Sequence, residues 1–275
     1  NLSIRLRAQN NPKHLNHSVM YSAHIDTVAA PSSGATDDGV GVAIGLELLR
    51  NVYNSDASRA EHAFIFNFVT CEEVGLIGSN AFRDKHPWWK TVFAFINVDS
   101  PGSLGPRTVM YRYTGGSWLA SAYGKLAPRP KVSSIYQDYT RYAISTQSDF
   151  NVYSQDPRVS GIDICNFYNF LNYHSDRDNF KNIDYTGLQF TGENLLPVML
   201  HAAAQPYLVH DPYYGNSLTF LNAPGNQFMA MSQVAFLLTS LGIVFAITLC
   251  VCIFCCLAWS SKTIKSLEFC NRYAA

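Results

Sequence analysis

The sequence predicts an α/β fold, a mixed and mostly parallel sheet with helices on both faces, followed by a transmembrane helix. Short apolar runs alternate with helical patterns over the first 100 residues, which is the order of a parallel sheet covered on both sides. The run AFIFNFVTC is continuously apolar, as expected for a strand buried on both faces. Residues 234–259 contain no charged residue and are long enough to cross a bilayer, which takes about 20 apolar residues.

The elements follow in order along the chain. Two strands, LSIRLRAQ and SVMYSAHI, flank a turn-rich segment, and the helix that starts at Asp37 has an acidic first turn. The strand AFIFNFVTC, a short helix that ends before Pro87, and the strand VFAFINV come next. The later part predicts a helix at SWLASAYGKLA, a strand at GIDICNFY and a long helix at IDYTGLQFTGENLLPVMLHAAAQ.

Composition divides the chain into four parts. Residues 1–205 form the predicted folded domain, 206–233 a Pro- and Asn-containing linker, 234–259 the membrane helix, which would contact lipid, and 260–275 a tail or loop. No signal peptide is visible at Asn1, where the chain opens directly into a strand. Because a lumenal or extracellular domain must be translocated, we expect a targeting or membrane segment to precede it.

Charge suggests an orientation and excludes one class of partner. The balance of 20 Lys and Arg against 20 Asp and Glu is unlike that of a nucleic-acid-binding protein. Up to residue 233 there are 17 basic and 19 acidic residues, whereas the tail after 259 has three basic residues and one acidic residue. Because basic residues concentrate on the cytosolic side, we expect a cytosolic tail and a lumenal or extracellular domain. The sequence identifies no protein partner.

Acidic and imidazole side chains gather where the predicted strands end. They are His24, Asp26, Asp37, Glu72, Glu73, Asp99 and, after the GIDICNFY strand, His174. One such residue alone is more often a helix cap or a satisfied polar group, but the carboxyl ends of parallel strands share one crevice. Two imidazoles and three of these carboxylates suit a pair of Zn²⁺ ions.

Five motifs in this order resemble the M28 family of co-catalytic zinc peptidases. They are HIDTV, GATDDGVG, TCEEVGLIGS, NVDS and YHSD, and together with the apolar run they resemble the membrane-bound branch of that family. The resemblance implies a zinc aminopeptidase-like fold and two Zn²⁺ ions. It makes Asp37 the bridging ligand, with His24 and Asp99 on one ion and Glu73 and His174 on the other.

The resemblance also implies the remaining roles. Glu72 would be the general base, and the Asp26 carboxylate would orient the His24 ring. Asp38 is the second acid of a pair at a helix start, where a carboxylate more often interacts with the helix dipole than binds a metal. Asp176 and Asp178 are expected to be solvated loop acids, and Asp149 is expected to line the pocket or hold a loop. Tyr111, Tyr139 and Tyr142 are candidates for oxyanion stabilisation, with none preferred.

Three functions therefore compete. The first is hydrolysis of peptides or proteins, as an aminopeptidase on the lumenal side of the endoplasmic reticulum membrane or, alternatively, of a vacuolar or lysosomal membrane. The second is acyl transfer of the glutaminyl-cyclase type, which EEVGLIGS disfavours. The third is an inactive receptor or scaffold, which the complete ligand set disfavours.

Overall fold

The structure is a computed structural model, and it describes residues 1–8, 17–28, 31–55, 60–100, 102, 109–137, 147–205, 218–223 and 227–273. The chain divides into two compact units, Asn1–Ala230 and Met231–Ala275, and each is described by itself.

The first unit alternates strands and helices. Its strands are β1 (Leu2–Leu6), β2 (Ser18–His24), β3 (Ala63–Val69), β4 (Val92–Asp99), β5 (Val109–Thr114), β6 (Ser160–Cys165), β7 (Leu218–Ala223) and β8 (Gln227–Ser232), the last of which ends just inside the second unit. Its helices are α1 (Gly39–Asn54), α2 (Ile77–Lys85), α3 (Trp118–Leu126), α4 (Asp149–Tyr153) and α5 (Tyr185–Ala203), with short 3-10 turns at Pro87–Thr91, Phe170–Asn172 and Phe180–Asn182.

Six strands form one mixed sheet in the order β1-β3-β2-β4-β6-β5. The four central strands are parallel, and the edge strands β1 and β5 pair antiparallel with β3 and β6. The predicted fold, a mostly parallel sheet with helices on both faces, is confirmed.

Side-chain alternation along the strands divides the core into two layers. On β2, Val19 and Tyr21 belong to the larger cluster, which α1, α3 and α5 cover, while Met20 belongs to the cluster under α2 and α4. This is the period of two that a strand imposes. All seven residues of β3 are buried, as its uninterrupted apolar run predicts.

Part of the predicted linker is ordered structure. The segment 206–233 contains β7 and β8, which form a two-stranded sheet. Phe220 is 2% exposed, and Phe228 packs against the larger core cluster. Its polar and proline-containing composition predicts a linker, but these two aromatic side chains anchor the hairpin on the domain.

The second unit is dominated by one helix, α6 (Gln233–Tyr273). Its first 30 residues, Gln233–Lys262, are long and apolar enough to cross a membrane by length and composition. They include the whole of the predicted span 234–259.

Candidate metal centre

Three neighbouring parallel strands deliver the candidate ligands to one edge of the sheet. In the order β3-β2-β4, the central strand ends at His24, the last of them at Asp99, and β3 ends three residues before Glu72. The crevice outside the carboxyl ends of such strands is where open α/β sheets bind ligands. The loop that follows β6 brings His174 to the same place.

The first ligand group contains His24, Asp37 and Asp99. The Nε2 atom of His24 lies 3.1 Å from Oδ1 of Asp37 and 4.0 Å from Oδ1 of Asp99. The Nδ1 atom of His24 lies 3.0 Å from the backbone oxygen of Asp26. Because a carbonyl oxygen only accepts, Nδ1 carries the ring proton, and this leaves the lone pair of Nε2 for a metal.

The second group contains Asp37, Glu73 and His174. The Nε2 atom of His174 lies 3.3 Å from Oδ2 of Asp37 and 3.0 Å from Oε2 of Glu73. The other Glu73 oxygen accepts a hydrogen bond of 3.1 Å from the backbone N–H of Val28, which fixes the carboxylate in place.

Asp37 belongs to both groups and turns a different oxygen to each imidazole. Although the contacts are short, Oδ2 of Asp37 and Nε2 of His174 are buried without a partner in hydrogen-bond geometry. Two atoms bound to one tetrahedral zinc at about 2.0–2.2 Å lie roughly 3.3–3.6 Å apart, and all four separations given above are within about 0.5 Å of that range. The donor chemistry fits zinc in both places, and the two unsatisfied atoms both belong to the second group.

The carboxylates around the centre are too many to be ionised together without a cation. Burial, and then the charge of Asp99, raises the pKa of Glu72 to about 9. Burial likewise raises the pKa of Asp99 to about 8, against the opposing effect of His24 and with the help of Asp37. Buried like charges are costly unless they are compensated, so this set of side chains favours a site for positive charge.

Asp26 acts on a different group from the one predicted. Its carboxylate is 3.9 Å from Nδ1 of His24, and the backbone oxygen of Asp26 orients the ring instead. The two carboxylate oxygens accept hydrogen bonds from the backbone N–H groups of Glu72, at 3.1 Å, and Glu73, at 3.2 Å. The Asp26 side chain therefore holds the turn that presents both glutamates.

Three further acids near the site, Asp38, Asp176 and Asp178, differ in burial and in hydrogen-bond partners. Asp38 caps α1 by accepting from the N–H of Gly41, as the sequence predicts. Asp176 is exposed, but the prediction of a solvated Asp178 is wrong, because Asp178 is fully buried. It accepts hydrogen bonds from the backbone and hydroxyl of Thr36, at 2.7 and 2.6 Å, and so ties the loop after His174 to the segment that enters Asp37.

Asp149 lies at the start of α4 and is 2% exposed. One of its oxygens has no hydrogen-bond partner, and burial raises its pKa to about 6. Asp149 therefore adds to the negative potential around Glu72 and Asp99, whose pKa values it helps to raise. It is not among the side chains that line the pocket.

Sequence reasoning missed Tyr173, although it stands in the same motif as His174. Its ring stacks on the His174 ring with centroids 3.6 Å apart, and both residues line the pocket. His174 itself has φ of 53°, which is uncommon for a residue with a side chain. Of the candidate tyrosines, Tyr111 lines the same pocket, while Tyr139 and Tyr142 lie outside the described residues.

Comparison with known proteins identifies the family of the chain. The model of peptidase family M28 matches residues 1–199. Human endoplasmic reticulum metallopeptidase 1 is 33% identical over 207 residues, which is 74% of this chain and 23% of the relative. The chain thus spans about a quarter of the length of that relative.

Solved structures share the fold at lower identity. An aminopeptidase from Aneurinibacillus sp. strain AM-1 has a TM-score of 0.57 and 22% identity, covering 76% of this chain and 49% of its own. Glutaminyl cyclase from Porphyromonas gingivalis has a TM-score of 0.53 and 20% identity, covering 72% and 81%. The fold is common to both activities, and the family match over most of this chain decides its membership. The chain belongs to peptidase family M28.

Proposed function

We propose that this chain is a zinc-dependent peptidase that removes residues from the N-terminus of peptides, with two zinc ions bridged by Asp37. The observation that carries the proposal is the arrangement around Asp37. Its two oxygens lie 3.1 and 3.3 Å from two different imidazoles, and each imidazole has a further carboxylate beside it. His24 and Asp99 would hold one ion, and Glu73 and His174 the other.

When bound, zinc supplies a Lewis acid that polarises a peptide carbonyl and makes water a stronger acid. Glu72 acts as the general base. It takes a proton from the attacking water and passes it to the leaving amine as the C–N bond breaks. Glu72 lines the pocket and is 9% exposed, so bulk water does not compete freely for the proton. Asp26 holds Glu72 and Glu73 in register through their backbone N–H groups.

The exopeptidase form of the proposal takes support from the aminopeptidase among the fold relatives. The test uses the full chain in detergent, with zinc measured by elemental analysis. Peptides are supplied with a free or an acetylated N-terminus. We expect zinc-dependent release of the first residue from the free peptide and no cleavage of the acetylated one.

The alternatives give different results in the same assay. Equal cleavage of the acetylated peptide would make the enzyme an endopeptidase. Cyclisation of an N-terminal glutamine without peptide cleavage would favour the glutaminyl-cyclase alternative. A zinc-loaded chain that turns over none of these substrates would be a scaffold.

We also propose that α6 crosses the endoplasmic reticulum membrane through residues 234–259 and that the peptidase domain is lumenal. The name of the human relative, the apolar helix and the basic tail support this. Protease added to sealed microsomes should spare the domain, and an endoglycosidase should shift its mobility through the sequon at Asn16, which lies outside the described residues. Digestion of the domain from the cytosolic side would reverse the orientation.

A further inference from the structure

A row of polar side chains crosses the sheet beneath the candidate active site. The strand register pairs Asn97 of β4 with Asp163 of β6, and Asp163 in turn with Arg112 of β5. Asp99 pairs with Cys165, two residues further along the same two strands. Because residues two apart on a strand point to the same face and are separated by about 7 Å, the polar row lies one step below Asp99 and the pocket.

Asp163 and Arg112 form a buried ion pair in this row. Nε and Nη2 of Arg112 donate to Oδ2 of Asp163 at 2.9 and 2.5 Å, and the side chain of Asn97 donates to Oδ1 at 3.0 Å. Asp163 is fully buried and Arg112 is 12% exposed. The charge of the guanidinium is therefore compensated at short range in a site from which water is largely excluded.

The guanidinium also contacts the wall of the pocket. Its Nη2 donates to the hydroxyl oxygens of Tyr111 and Ser148 at 2.7 and 2.8 Å, and both of those residues line the pocket. Arg112 is not itself among the lining residues. Its guanidinium lies directly behind the wall, and Asp163 compensates the positive charge of that guanidinium.

Part of the pocket wall is aromatic. The cavity measures about 450 Å³ and is lined there by Tyr111, Phe167, Phe170 and Tyr173, a size usual for small-molecule sites. The Phe167 ring lies edge-on to Tyr111 with centroids 5.1 Å apart and stacks on Tyr136 at 4.2 Å. Among the described residues that line the cavity there is no lysine or arginine.

We propose that Asp163 sets the selectivity of this pocket: by cancelling Arg112 it lets the pocket take an uncharged, preferably aromatic side chain from the first residue of the substrate and reject a carboxylate. An aromatic ring gains contact with the aromatic wall. A substrate carboxylate loses its water there and meets no net positive charge in return. The inference rests on the proposed peptidase function, and Asp163 acts in it as a positioning residue through Arg112.

The experiment compares substrates that differ in one side chain. Zinc-loaded full chain is assayed with phenylalanyl, leucyl, alanyl and glutamyl derivatives of the same fluorogenic amine. We expect kcat/KM for the phenylalanyl substrate to exceed that for the glutamyl substrate by at least about tenfold, the scale of side-chain discrimination in such pockets. Asp163→Asn removes one negative charge beside Arg112, so it should raise the glutamyl-to-phenylalanyl ratio by about tenfold or more. A merely structural role for Asp163 would lower both rates together.

One control and one alternative variant accompany Asp163→Asn. Asp84→Asn makes the same substitution in the exposed pair that Asp84 forms with Arg83 at 2.7 Å in α2, and it should leave the ratio unchanged. If Asp163→Asn does not fold, Phe167→Ala replaces it, because Phe167 is partly exposed. That variant should lower phenylalanyl activity by a larger factor than alanyl activity.

Binding without turnover separates this inference from the proposed function. The dissociation constants of the hydroxamates of phenylalanine and glutamate are measured by calorimetry on the same proteins. A wild-type chain that binds the phenylalanine compound more tightly but cleaves nothing contradicts the peptidase proposal alone. The role of Asp163 is overturned if the wild-type chain binds the two hydroxamates equally or cleaves the phenylalanyl and glutamyl substrates equally. An unchanged glutamyl-to-phenylalanyl ratio in a folded Asp163→Asn overturns it as well.

Discussion

The Asp26 carboxylate accepts the backbone N–H of Glu72 and that of Glu73, one on each oxygen, at 3.1 and 3.2 Å. Asp26 is two residues beyond His24, so a single short segment supplies a candidate ligand and anchors the turn that presents the candidate base. The residue before that turn, Cys71, has φ of 59°. This conformation costs free energy and persists only where the surrounding structure holds it. The two hydrogen bonds from Asp26 supply part of that restraint.

Asp26→Asn should lower kcat/KM by about 10–100-fold, the usual loss when a partner of a ligand segment is removed. An amide has one acceptor oxygen, so only one of the two N–H groups keeps its partner. Zinc content at saturating zinc should change little, because Asp26 is not a ligand. Steady-state kinetics and elemental analysis measure the two effects. Loss of zinc with normal kcat in the residual holoenzyme would contradict this role.

The proposed bridging position of Asp37 predicts a paired loss of metal. Asp37→Ala should lower occupancy at both zinc sites, whereas His174→Ala should weaken mainly the site it shares with Glu73. Zinc per chain is measured by elemental analysis after dialysis against a fixed free-zinc buffer. Two zinc ions retained by Asp37→Ala would rule out the bridge.

Glu72→Gln separates binding from proton transfer. Glu72 is in neither ligand group, so the variant should keep its zinc while kcat falls by about 10² or more, the usual scale for losing a positioned general base. Glu47→Gln, an exposed pair partner of Arg50 on α1, is the matched control and should retain full activity. Near-normal turnover by Glu72→Gln would assign the base elsewhere.

Asp178→Asn should destabilise the domain and weaken metal binding together. The carboxylate accepts charge-assisted hydrogen bonds from Thr36 and from the hydroxyl of Ser32, and an amide cannot accept on both sides. The expected loss is about 2 kcal/mol, which lowers Tm by roughly 4–8 °C. Asp176→Asn, two residues away and exposed, should melt like the wild type. Equal melting of the two variants would show that the buried contacts contribute nothing.

The strand ends and ligand motifs were predictable because each is a local signal: an apolar run that stops at an acidic or imidazole residue. What the sequence could not show are pairings set by register and by loop closure. Arg112 and Asp163 are 51 residues apart and meet only because β5 and β6 pair antiparallel at that register. Asp178 lies in a polar loop, and its distant contacts with Ser32 and Thr36 distinguish it from exposed Asp176. The β7–β8 hairpin has a linker-like composition and packs through single aromatic residues.

The buried Asp149 gives a pH dependence with a definite sign. Burial raises its pKa from 3.8 to about 6, so between these values the folded chain holds a proton that the unfolded chain has released. Stability therefore falls as pH rises through this window. A pKa shift of about two units corresponds to about 3 kcal/mol of stability.

Asp149→Asn removes this penalty, so the zinc-free variant should gain stability over the zinc-free wild type as pH rises from 4 to 7. Tm in EDTA at several pH values measures this. A difference between variant and wild type that is constant across the window would mean that Asp149 is ionised throughout.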